Sequence, residues 1–335
     1  MSELRKDPLT NRWVIISEDR AKRPMNYVEE ERIEELYCPF DYGNENSTPN
    51  ELLSFRSPDS KANESGWWVR VVPNKFSALK ENIILDKSPY GIYDRVSGFG
   101  YHEVIIETPE HNTNVSHFSL KQMEEVFWAY LKRFNSLKED KRIKYIQIFK
   151  NYGKKAGASL VHPHSQLIAT SIVPVNLIDE IEGAKKYFNF KNRCVFCDIV
   201  KYEEEVNERI IFKSENFIVF EPYASRFPYE TWIMPRFHSH DFGELEKNED
   251  IVKELAEVSK NFYSRFFKVL NNPPYNMLIH TAPFGEDCSK EYHWHIEIIP
   301  RITNIAGFEW GTGFYINSVS PEKAADELKK EEPFL

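Results

Sequence analysis

The chain has 335 residues, of which 43 are Lys or Arg and 52 are Asp or Glu, giving a net charge of −9 with 41% hydrophobic and 14% aromatic side chains. That length buries one large core or, more naturally, two ordinary ones, and the acidic balance excludes broad binding to nucleic acid or to an anionic membrane as the main task. The opening Met1-Ser2-Glu3-Leu4-Arg5-Lys6-Asp7 has no apolar signal core and no run reaches membrane-spanning length, so a cytoplasmic protein is expected, and its 4 cysteines are too few for a disulfide framework.

In chain order, Cys38-Pro39-Phe40-Asp41 is the first group with metal-ligand character. Residues 49–65, rich in Ser, Asn and charge, read as a mobile loop. Trp67–Val72 and Val104–Glu107 are β-patterned. After Ser119, the apolar positions Met123, Val126, Phe127, Tyr130, Leu131 and Phe134 recur at three-to-four spacing, which predicts a helix over 120–137, followed by a strand over 144–149. A domain boundary is expected within 175–190. Beyond it come Cys194-Val195-Phe196-Cys197, β-patterned runs at Phe217–Phe220 and Thr231–Arg236, a helix over 251–270, a strand over 275–279, and a solvated terminal helix over 322–330. His102 and His117 show no partner pattern, and Cys288 reads as a spare thiol in a polar loop.

The metal-capable residues repeat in order. The first half gives Cys38 and Asp41, then His111, a helix, a strand and His162-Pro163-His164; the second gives Cys194 and Cys197, then His238, a helix, a strand and His293-Trp294-His295. Each half is therefore expected to build a tetrahedral site for zinc. Cys194, Cys197, His238 and His293 form a complete set with no position for water, which favours a structural role. Cys38, Asp41, His111 and His162 carry a carboxylate where a second cysteine is expected, so this site is weaker or empty.

The run Gly157-Ala158-Ser159-Leu160-Val161-His162-Pro163-His164-Ser165-Gln166 sets two imidazoles and an amide at two-residue spacing after a small-residue loop. In a strand the three side chains share a face, and Pro163 implies an edge or bent strand. One imidazole is suited to attack phosphorus, the second to a metal, and the amide to a phosphoryl oxygen. Two hydrogen-bonded histidines at a strand end are the plainer alternative.

Several separate segments carry a family resemblance: Arg5–Thr10 with Arg12-Trp13, Arg20–Pro24, Arg70–Phe76, Asn151–Gln166 and Gly307–Asn317. The chain resembles the galactose-1-phosphate uridylyltransferases, the branch of the histidine-triad superfamily with two fused histidine-triad-like domains, and its second knuckle is similar to that of the plant ADP-glucose phosphorylases. The resemblance implies an α+β fold with a catalytic half over 1–180 and a second half over 190–335, mainly antiparallel sheets with packed helices. It implies that His164 is a nucleophile forming a covalent nucleotidyl intermediate in a ping-pong reaction. Gln166 and Ser159, with the Gly157-Ala158 backbone, would hold the phosphate. Asn74, Asn151, Arg20 and Arg23 would contact the nucleotide, and Gly311, Thr312, Gly313, Phe314 and Tyr315 the sugar phosphate.

In bacterial relatives a glutamate and three histidines hold a different metal. His280, His293 and His295 match the three histidines, Glu182 is a candidate that does not align securely, and the complete knuckle assigns His293 to the cysteines. Glu297 stands where Gln166 has its counterpart, so the second half reads as a degenerate copy. The leading reaction is UDP-glucose:hexose-1-phosphate uridylyl transfer; the alternative is ADP-glucose phosphorolysis with inorganic phosphate as acceptor, towards which Ser165 and the second knuckle lean. A nucleotide-binding regulator without turnover is a third reading. The partners implied are a nucleotide sugar, a hexose 1-phosphate or phosphate, and a second copy of the chain in a homodimer.

Overall fold

The computed structural model describes residues 2–19 and 37–333, so the expected nucleotide contacts Arg20 and Arg23 lie outside the described residues. The N-terminal strands β1 (Ser2–Lys6) and β2 (Trp13–Ser17) form a hairpin. The first half then supplies β3 (Leu53–Arg56), β4 (Trp67–Pro73), β5 (Gly100–Ile106), α1 (Leu120–Lys138), β6 (Tyr145–Tyr152) and β7 (His164–Thr170). The helices α2 (Val175–Lys191) and α3 (Val195–Val206) lead into β8 (Ile210–Lys213), β9 (Phe217–Phe220), β10 (Thr231–Pro235), α4 (Glu249–Leu270), β11 (Tyr275–His280) and β12 (His295–Pro300). The chain closes with α5 (Gly307–Thr312), β13 (Tyr315–Asn317), which joins β2 in parallel, and α6 (Pro321–Lys330).

Ten strands form one sheet in the order β3-β4-β5-β7-β6-β11-β12-β10-β9-β8. Reading inwards from either edge, each strand of the first half meets its counterpart five numbers later. The halves therefore repeat each other about the antiparallel β6–β11 pair, in which Ile148 faces Ile279 and Lys150 faces Met277. A two-residue side-chain period then sorts the sheet. One face, with Ile146, Ile148, Leu167, Met277, Trp294 and Ile296, is buried under α1 and α4. The opposite face carries His164, Gln166, His295 and Glu297.

Local chemistry explains the helices that seal the sheet. The Ser119 hydroxyl accepts from Gln122 N–H at 3.1 Å and Asn248 Oδ1 from Ile251 N–H at 3.3 Å, each satisfying a first-turn donor that the helix itself leaves unpaired. Both apolar stripes then enter one core, where Phe134 of α1 meets Phe242 and Phe284 edge-on at centroid distances of 6.0 and 5.5 Å.

Four expectations change. Residues 49–65 contain β3, paired to β4, and not only loop. β7 lies between β5 and β6, so Pro163 marks the start of an inner strand, where its missing donor costs no ladder bond. The terminal helix is not merely solvated: Ala324, Ala325 and Leu328 are buried, and Glu322 accepts from Arg5 and Arg209 at 2.8 and 2.9 Å. The stretch 175–190 is α2, whose Leu177, Ile181 and Ala184 share a core with Leu9, Tyr145 and Phe196. Among the described residues no helix is long and apolar enough to cross a membrane.

Replacing Phe134 with Ala removes a ring from the junction of the two halves and is expected to cost ~3–5 kcal/mol, read as a lowered denaturation midpoint in urea.

Candidate active site and metal centres

β7 begins at His164, and the residue two before it supplies the bond that defines its chemistry. His164 Nδ1–H donates to the His162 carbonyl at 2.8 Å, which leaves Nε2 as a bare lone pair. Burial holds its pKa below 6.5, so the neutral, nucleophilic ring is favoured at neutral pH. The Phe40 ring sits edge-on at 5.4 Å and restricts its movement.

Gln166 follows on the same face, with Oε1 2.8 Å from His102 Nε2 on β5. Asn74, just past β4, has its Nδ2 3.0 Å from the same ring nitrogen while its Oδ1 accepts from Phe76 N–H at 2.8 Å. Asn151 lies on β6, where the Asn276 amide of the other half donates to it at 2.8 Å. The sheet thus gathers His164, Gln166, Asn74 and Asn151 on one face from three segments. Ser159 is exposed at the loop, and Gly157 has φ +86°, a left-handed backbone that requires glycine although a Cβ there would meet nothing. The Gly157 and Ala158 N–H groups are spent on the carbonyls of Lys154 and Gly153 at 3.0 and 3.3 Å, so of the phosphate donors expected in this loop the Ser159 side chain remains.

Gly311, Thr312 and Gly313 are exposed at the end of α5, and Phe314 follows them into β13. Tyr315 pairs with Val14 of β2 and packs on Phe227 at 5.4 Å. These five residues lie with the small sheet and not on β7.

Behind the nucleophile, on the helix face, stands a buried polar cluster that sequence reasoning missed. Glu107 accepts from Tyr130 at 3.0 Å and also from Ser165 and Lys150, and Lys150 Nζ reaches the His164 carbonyl at 3.5 Å. Glu107 and Lys150 are only 2% and 3% exposed at the side chain, so each is the other's essential counter-charge. Ser165, next to His164 in sequence, points into this cluster.

Among the described residues three groups of side chains bring donor atoms within 4.8 Å of one another: Cys194, Cys197, His238 and His293; Cys38, Asp41, His111 and His162; and Glu180, His280 and His295. The first two are the expected sets, and both fit a metal by the state of their free nitrogens. His238 Nε2–H donates to the Ser289 carbonyl at 2.6 Å and His162 Nε2–H to the Thr108 carbonyl at 2.7 Å, so in both rings Nδ1 is the lone pair turned to the site. Asp41 Oδ1 lies 2.9 and 3.0 Å from the Nδ1 atoms of His111 and His162. Cys197 Sγ lies 3.3 Å from His238 Nδ1 and 3.9 Å from His293 Nδ1, so both histidines converge on the knuckle.

The third group corrects the expectation for the second half. Its carboxylate is Glu180, two residues before Glu182 and so on a different side of α2, and it meets His280 Nδ1 at 3.0 Å. Register makes the repeat explicit. Gln166 pairs with Val104 and Phe149, and Glu297 with Trp232 and Leu278, so Gln166 corresponds to Glu297, His164 to His295 and Asn151 to His280. In the copy, His295 is stacked between Trp232 and His280 at 4.4 and 4.7 Å. Burial opposes the charge on His280, yet Glu180 at 3.0 Å and Glu297 at 3.4 Å push its pKa up to about 10. Glu297 also pairs with Arg226. A cavity of about 810 Å³ opens over this cluster. Cys288, expected as a spare thiol in a polar loop, is fully buried.

Residues 1–174 match the family described as galactose-1-phosphate uridyl transferase, N-terminal domain, and residues 107–332 match a domain of unknown function, DUF4921. The chain is 37% identical over 336 residues to the ADP-glucose phosphorylase of Arabidopsis thaliana, covering 98% of this chain and 92% of that one. The chain belongs to the galactose-1-phosphate uridylyltransferase family. Another relative, the galactose-1-phosphate uridylyltransferase of Thermotoga maritima, is 33% identical with 99% of both chains covered. Among solved structures, the Arabidopsis ADP-glucose phosphorylase with bound ADP-glucose superposes with a TM-score of 0.83 at 36% identity over 99% of this chain and 100% of that one. A uridylyltransferase structure gives 0.76 at 27% identity over 98% of this chain and 97% of that one.

Two measurements check these sites. Cys197→Ser is expected to lose about one equivalent of tightly held metal by elemental analysis, because a closed four-ligand set does not retain it on three. Glu107→Ala is expected to destabilise the protein by ~3–5 kcal/mol in equilibrium unfolding, since it strands the buried Lys150 charge.

Proposed function

We propose that this protein is a nucleotidyltransferase that works through a covalent nucleotidyl-His164 intermediate. The observation that carries the reading is the His164 Nδ1–H bond to the His162 carbonyl, which presents a neutral Nε2 lone pair beside the Gln166 amide. Nε2 attacks the α-phosphorus of a nucleotide sugar; the N–P bond forms as the bond to the hexose 1-phosphate leaving group breaks. Donors from Gln166 and Ser159 bear the charge that grows on the phosphoryl oxygens. A phosphate-bearing acceptor then attacks the same phosphorus, the N–P bond breaks and His164 is restored, so the kinetics are ping-pong. Asn74 and Asn151 flank the nucleotide, and the exposed 311–315 segment reaches a sugar phosphate in a second copy of the chain.

Two donor and acceptor pairs fit this chemistry. Adenylyl transfer from ADP-glucose to inorganic phosphate, yielding ADP and glucose 1-phosphate, is supported by the higher identity and TM-score to the Arabidopsis enzyme. Uridylyl transfer from UDP-glucose to a hexose 1-phosphate, put first on sequence grounds, is supported by the Thermotoga relative. Zinc suits the Cys194, Cys197, His238 and His293 set; bound there it is structural, tying α3 to the segments before β12, and takes no part in the reaction. The Cys38, Asp41, His111 and His162 set would hold the same ion next to the nucleophile strand and fix His162, whose carbonyl orients His164.

Incubation with ADP-glucose or UDP-glucose separately, followed by intact-mass measurement, is expected to show one added AMP or one added UMP, and the base that labels identifies the donor. His164→Ala should remain unlabelled. Absence of any adduct on the wild type, or labelling of His164→Ala, would overturn the covalent mechanism.

A further inference from the structure

The His102 ring is the one described group that touches both Gln166 and Asn74, and its own protonation is dictated by the backbone. Ala78 N–H points at His102 Nδ1 at 3.2 Å. A backbone N–H only donates, so Nδ1 is the acceptor and the neutral ring carries its proton on Nε2. That N–H faces the Gln166 side chain at 2.8 Å and selects its oxygen, which turns the Gln166 amide nitrogen and its two N–H groups away from His102. The same protonated Nε2 offers no lone pair to Asn74 Nδ2 at 3.0 Å, so the Asn74 N–H groups also remain for a ligand.

The fold shows why this contact falls where it does. His102 faces Ile168 across β5 and β7, and Gln166 is the diagonal neighbour two residues earlier on the same face. The second half fills the equivalent position with different chemistry: Glu230, two residues before Trp232 as His102 is two before Val104, shares Arg226 with Glu297. The position diagonal to the Gln166 or Glu297 site thus carries a polar side chain in both copies.

We infer that His102 is a positioning residue: its Nε2–H fixes the amide orientation of Gln166, so that Gln166 presents N–H donors rather than an oxygen to the phosphoryl group. Without it the amide is free to flip, and a carbonyl oxygen turned to phosphate repels the charge it should bind. This inference rests on the nucleotidyl-transfer reading above.

The test is a double-mutant cycle on the first half-reaction, the single-turnover rate of nucleotidyl-His164 formation at saturating nucleotide sugar. Gln166→Ala is expected to slow it about a hundredfold, the scale of a lost oxyanion donor. His102→Ala should slow it roughly tenfold, with the Kd for the nucleotide sugar changed less than the rate. In the Gln166→Ala background, His102→Ala should have no further effect, because the residue it positions is gone. His102→Gln, which restores an N–H donor, should recover part of the rate. Multiplicative effects in the double variant would overturn the inference, as would a His102→Ala rate equal to wild type. A fold defect is separated by the denaturation midpoint of each variant. If wild type forms no adduct, it is the functional reading that fails; an adduct whose rate ignores the His102–Gln166 coupling sinks this inference alone.

Discussion

The chemistry of the site hangs on one hydrogen bond, from His164 Nδ1–H to the carbonyl two residues earlier. A neutral imidazole has one donor and one acceptor nitrogen, and a backbone carbonyl forces the choice. The bond is short-range in sequence but not locally determined. The His162 carbonyl is aimed by a ring that is itself fixed between Asp41 and the Thr108 carbonyl, and the His164 carbonyl is approached from behind by Lys150. The metal-capable group on one side of β7 and the buried Glu107–Lys150 pair on the other therefore act on the same two residues. This gives both features a reason to exist beside a nucleophile, where buried charge is otherwise costly.

The same device recurs across the molecule. Backbone groups set the tautomers of His162, His164, His238 and His102, each time leaving one nitrogen for a defined task. The repeat shows how few changes separate the two copies. His295 occupies the place of His164, but Glu297 replaces the amide, His280 replaces Asn151, and the ring is stacked between Trp232 and His280. Carboxylates at that face repel phosphate and instead clamp a charged His280. The copy has exchanged a phosphoryl site for a network of paired charges, while its Trp294 and Ile296 still build the common core with α1 and α4.

Much of this was legible in the chain itself. The helices at 120–137 and 251–270 and the strands at 144–149, 217–220 and 275–279 appear within a few residues of the expected bounds, because each has a clear apolar pattern and the two helices also have a capping residue. The two four-residue metal-capable groups assembled as expected, since their order repeats. What failed were segments whose role depends on neighbours. The polar composition around β3 hid a strand that is stabilised by pairing to β4 and by Arg70 and Arg56 on Glu51. Glu180 and Glu182 are indistinguishable by type, and only the facing of α2 decides which one meets His280. Ser165 adjoins His164 in sequence, yet the pleat places it on the opposite face, bonded to Glu107.

The sequence by itself determined the elements, the repeat and the donor sets, because these depend on periodicity and on side-chain chemistry at short spacing. Only the tertiary structure decided which nitrogen of each histidine is free, that His102 addresses Gln166, that Glu107 and Lys150 are each other's partner, and that β7 is an inner strand. These are matters of register and of which backbone groups remain unpaired, and both are settled between segments far apart in the chain.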